Sequence, residues 1–160
     1  MPEVKKPNMK HLNKPSDNLG GLLKIWAVPP GDISIGFNAV SFSTTDNIIE
    51  MYCSPGSISF TEKESQEKYG LGYKNEINAF IPKDSPETLA IINDMIGRKW
   101  VVILLDQNEQ FKVAGTPEIP LRVSFDLGTG SDTPDRNGHS VSFYGNQISK
   151  AKFIADPFSE

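Results

Sequence analysis

Acid–base or nucleophilic catalysis needs a group that titrates near neutral pH or an activated nucleophile, and this chain offers few: His11, His139 and one cysteine, Cys53. His11 falls in a proline- and lysine-rich opening segment where nothing would orient it. His139 follows a turn and begins a strand, a position that reads as exposed and structural. Cys53 ends an apolar run beside Ser54-Pro55-Gly56 with no activating group in view, so it reads as packing. A lone cysteine also excludes an internal disulfide and a multi-cysteine metal site.

The stretch from Asp126 to Gly138 is the one place in the sequence that invites a site, with Asp126, Asp132, Asp135, Arg136 and Asn137 as candidate interaction residues. Asp135, Asn137 and Gly138 match part of a calcium-loop spacing, but Thr133 stands where the first acid belongs and Tyr144 where the bidentate glutamate belongs. Gly128-Thr129-Gly130 likewise lacks the glycine and lysine of a phosphate loop. The reading is a mobile acidic interaction loop, with no catalytic, cofactor-binding or metal-binding residue assigned. Trp26 and Trp100 could stack on sugars, yet both sit in apolar runs and read as core. A carbohydrate or host-surface binding β-sandwich module stands as the alternative function, and it requires an exposed aromatic patch.

The elements that would position these groups centre on residues 84–114. Ser85 is placed to cap a helix, Pro86 suits its first position, Glu87 complements its positive end, and Gly97 suits its stop. The spacing predicts a helix over 85–96 with Leu89, Ile92 and Ile96 on its packed face and Met95 beside them. In the next run, Trp100, Val102 and Leu104 alternate with Val101, Ile103 and Leu105, so both faces are apolar. That is a central strand, with the helix expected on one face and more sheet on the other. Asp106-Gln107-Asn108-Glu109 turns it into a return strand ending at Ala114.

Further strands are expected at Leu22–Val28, Ile33–Phe37, Ile48–Cys53, Ser57–Thr61, Leu71–Ile81, Leu121–Asp126, around Val141 and Phe143, and Ile148–Ala155. The charged piece Glu62–Lys68 reads as an exposed loop or a helical turn, and Asn137-Gly138 as a reversal with φ above zero. The fold class is therefore mainly β, a barrel or sandwich of about nine or ten short strands with one packed helix. Residues 1–18, with Pro2, Pro7, Pro15 and several lysines, read as a flexible N-terminal arm, and residues 19–160 as a single β-rich domain.

The formal charge of −4 gives no basic footprint for nucleic acid. The chain's start lacks a signal-peptide core, and Trp100–Leu105 is too short to cross a bilayer.

Particular words in the sequence also resemble those of a family of small prophage-encoded proteins found among phage structural genes. They are Ile81-Pro82-Lys83-Asp84, Gly97-Arg98-Lys99-Trp100-Val101-Val102, Asp106-Gln107-Asn108, Gly115-Thr116-Pro117-Glu118-Ile119-Pro120-Leu121-Arg122, Thr129-Gly130 and Asp135-Arg136-Asn137-Gly138. The resemblance spans roughly Tyr52 to Phe153, and its words serve turns and fold, not catalysis. At the level of architecture, the chain is similar to phage tail-tube proteins and the haemolysin-coregulated tube protein of type VI secretion. The resemblance implies a non-enzymatic virion protein without cofactors, a homo-oligomer of the hexameric-ring kind, with other tail proteins as partners. It further implies a place in the virion, or in the host bacterial cytoplasm during assembly, and no specific nucleic-acid or membrane binding.

Overall fold

The computed structural model describes residues 20–68, 70–82, 84–131 and 137–158. Eleven strands and one α-helix follow in order: β1 Leu22–Val28, β2 Ile33–Ile35, β3 Val40–Phe42, β4 Ile49–Met51, β5 Ser59–Glu67, β6 Gly70–Pro82, α1 Pro86–Met95, β7 Val101–Asp106, β8 Phe111–Ala114, β9 Arg122–Gly128, β10 Gly138–Gln147 and β11 Lys152–Ile154. A five-stranded sheet runs β11-β8-β7-β1-β4, a four-stranded sheet runs β5-β6-β10-β9, and β2 pairs with β3 alone. Every pairing is antiparallel, and none of the three sheets closes into a barrel.

The two larger sheets face each other across one core. Ile25, Ala27, Val102 and Leu104 of the five-stranded sheet meet Ile77, Ala79, Val141 and Phe143 of the four-stranded sheet, with Trp100 and Leu121 between them. Trp100 and Leu121 also exchange backbone hydrogen bonds of 2.8 Å in both directions, which ties the start of β7 to the entry of β9. On the outer face of the five-stranded sheet, Trp26, Val101, Ile103 and Val113 pack under the β2–β3 hairpin through Ile33, Ile35, Val40 and Phe42. Phe158 closes that side, its ring 4.8 Å from Trp26 and 5.6 Å from Phe42. The expected two-faced central strand is thus observed in β7, which has β1 and β8 on its flanks.

Helix α1 starts as its sequence dictates: Ser85 Oγ accepts from the Thr88 amide at 3.2 Å, and Pro86 takes the first helical position. Its packed face differs from the expected one. Ile92 and Met95 are buried, whereas Leu89 and Ile96 are about half exposed. Met95 joins the core that both large sheets share, so the helix lies on the same side of β7 as the four-stranded sheet. The opposite side is covered by the two-stranded hairpin, whose β3 the sequence pattern did not reveal, because three residues between turns carry too little alternation.

Two local expectations are corrected. Glu62–Lys68 is not an irregular loop: β5 continues to Glu67, paired with β6 through Glu67↔Gly70, as one long hairpin. Its charged residues suit an edge strand, where water solvates the unpaired side of the backbone and charge discourages unwanted pairing. Gly138 does not reverse the chain either. It already sits in the ladder between Pro82 and Gly128, where a Cβ would stand 2.1 Å from the Ile81 carbonyl oxygen. Glycine is needed there for close approach, not for a positive φ.

Candidate functional site

The residues singled out in the sequence do not converge. Asp126 is exposed on β9 opposite Ser140, and Asn137 is exposed one residue before β10. Asp132, Asp135 and Arg136 lie outside the described residues, as do His11 and the 1–18 segment. Cys53 is buried, and burial pushes its thiol up to about 11, which removes the thiolate needed of a nucleophile at neutral pH. His139 is not exposed as expected: it is 4% exposed, with Nε2 3.2 Å from Asp84 Oδ1. Its ring lies on the inner row of β10 beside Val141 and Phe143, and Asp84 reaches it from the residues that lead into α1. Among the described residues, no three His, Cys, Asp or Glu side chains cluster to hold a metal ion.

Trp26 and Trp100 are core residues, as their runs implied. Among the described residues, the aromatic rings most open to solvent are Phe37, Tyr52 and Phe153, carried by the β2–β3 turn, the residue after β4 and β11. They stand on separate elements, not on one strand face.

The site that the structure does assemble is a cleft of about 530 Å³ where the three sheets meet. Its lining includes Ile33–Ile35 of β2, Asn75 of β6, Val113 of β8, Gln147 of β10, the turn 115–118 and the crossing segment 149–152. Two carboxamides distinguish it. Along β6 the inward row reads Tyr73, Asn75, Ile77, Ala79, Ile81, and Asn75 is fully buried. Neither its Nδ2 nor its Oδ1 has a hydrogen-bond partner. Gln147, 5% exposed, ends the corresponding row of β10, diagonal to Asn75 across the Asn75↔Gly145 rung. Its Nε2 donates to the Ile119 carbonyl at 2.8 Å and so pins the 116–119 turn. Glu62 accepts from the Ala151 amide at 2.8 Å and holds the crossing segment, while Lys152 Nζ donates to the Gly36 carbonyl at 2.6 Å.

Comparisons with protein-family models, with curated proteins and with solved structures return no match. The cleft's chemistry is accordingly read from its own residues. A buried, unpartnered carboxamide at the head of a roomy cleft can recognise a group that presents a donor and an acceptor together. The sequence held one signal for it: the polar break at position 75 in an otherwise apolar alternation. Gln147 gave no such signal, because its burial depends on how the 116–119 turn folds over it.

Proposed function

We propose that this protein is a non-enzymatic structural or assembly component of a phage tail or tail-like particle, self-associating into rings through its sheet edges. The resemblance in sequence supplies the class, and a hexameric ring is the form it implies. The observation that supports self-association is an uncovered apolar margin at the β4 edge of the five-stranded sheet. Tyr52 is 74% exposed there and Ile91 of α1 is 48% exposed. Both border a groove of about 220 Å³ that Ile49, Met51, Ile81 and Pro82 also line. A three-residue edge strand with open backbone groups beside uncovered apolar side chains is a surface that a second copy can cover by strand pairing and burial together. The long β5–β6 hairpin offers a further reach toward a neighbouring copy, as Glu62–Glu67 is held in a ladder with Gly70–Asn75.

Light scattering across a concentration series, followed by negative-stain microscopy of the concentrated protein, tests this reading. The expected outcome is ring-like oligomers that Tyr52→Glu and Ile91→Lys weaken while the fold is retained. A strictly monomeric mass at high concentration, unchanged when neighbouring virion proteins are added, would count decisively against it.

A further inference from the structure

The cleft meets β2 along its edge and not along one face, because Ile33, Ser34 and Ile35 all line it although their side chains alternate. The ladder of the β2–β3 hairpin shows which backbone groups are free there. Backbone bonds join Asp32 with Ser43 at 3.0 Å and Gly36 with Ala39 at 2.8 Å, and Ser34 pairs with Ser41 between them. An antiparallel ladder alternates bonded and non-bonded pairs, so Ile33 and Ile35 direct N–H and C=O away from β3. The far wall, 149–152, leads into β11, itself the outermost strand of its sheet. On the floor lies the Asn75 carboxamide with no partner for either amide atom.

We propose that this cleft binds an extended polypeptide segment, which adds as a strand to β2 and meets the Asn75 carboxamide from above. In an extended chain, one residue's N–H and C=O point to the same side, so a single carboxamide can accept from one and donate to the other. The outward groups of Ile33 and Ile35 then bind the ligand's other edge, the geometry of strand addition. The lining argues against other ligand classes. Among the described residues no aromatic ring lines it to stack on a sugar, and Glu118 offsets Lys150 in the lining, while the Lys152 ammonium is committed to Gly36. The Asn75 amide atoms are shut off from solvent, so the ligand reaches them by displacing part of the lining around them. This inference does not depend on the assembly reading.

The test pans a displayed library of random peptides against the full chain and measures the enriched sequences by titration calorimetry. Asn75→Leu and Ile35→Pro should each lower affinity at least tenfold. The proline removes an outward N–H and leaves the bonds to β3 in place, because Ile35 occupies a non-bonded position. Tyr52→Ser, at the groove beside α1, should leave peptide affinity unchanged even where it weakens self-association. Should Ile35→Pro fail to fold, a scan of single N-methyl groups along an enriched peptide replaces it: affinity should fall at the alternate residues whose N–H groups face β2 and at the one intervening residue whose N–H faces Asn75, and nowhere else. Failure to enrich any peptide overturns the proposal, as does full affinity in folded Asn75→Leu or an N-methyl scan without that pattern.

Discussion

Replacing Asn75 by leucine should stabilise this protein, an unusual sign for a core substitution. Asn75 is fully buried, and its carboxamide makes no hydrogen bond. Desolvating a polar group without compensation costs about 1–3 kcal/mol. Leucine branches at the same carbon and presents apolar atoms to the core that begins one rung away at Ile77. Crowding by its larger end offsets part of the gain, on the order of 1 kcal/mol, leaving up to about 2 kcal/mol in favour of the variant. For a chain of 160 residues, that corresponds to a rise of up to roughly 8 °C in Tm. Urea denaturation with a fixed m-value, alongside calorimetry, would measure it. Asn75→Asp supplies the opposite sign. A buried, unpaired carboxylate has its native pKa raised above the unfolded value, so the native state binds the extra proton. That variant's deficit is full above the raised native pKa and shrinks as pH falls from there toward the unfolded value. A loss of stability in Asn75→Leu would refute the reasoning, since it would mean that the carboxamide is already satisfied.

Two further substitutions or conditions probe the fold. Gly138→Ala should cost about 3 kcal/mol or more, because its Cβ would meet the Ile81 carbonyl at 2.1 Å inside a paired ladder; Gly128→Ala, with open space around it, should change little, and equal effects in chemical denaturation would contradict the packing described. Cys53 should resist thiol reagents at neutral pH in the folded protein and react fully when unfolded, since burial raises its pKa from 9.0 to about 11. The native state then holds a proton that the unfolded chain releases, so about 2–3 kcal/mol of stability should drain away between pH 9 and 11; a Cys53→Ala variant showing the same alkaline loss would disprove this assignment.

What the sequence determined by itself is the local order. Ser85, Pro86 and Gly97 bound α1 because capping and φ preferences act within a few residues. The double apolar alternation of 100–105 made β7 central, since a strand with two greasy faces must be covered twice. Tertiary structure decided the rest. Which arc of α1 packs was set by where the sheets leave room, so Ile92 and Met95 are covered and Leu89 is not. The charged letters of 62–67 gave no hint of a strand, because the partner that makes them one lies across the hairpin in β6. His139 is buried by a strand pairing and by Asp84, 55 residues away in sequence. The cleft is the clearest case. Asn75 could be noticed as a polar break, but its companions Ile33, Val113 and Gln147 come from three sheets. Only contacts between residues distant in the chain bring them to one place, and a linear pattern records neighbours along the chain, not across the core.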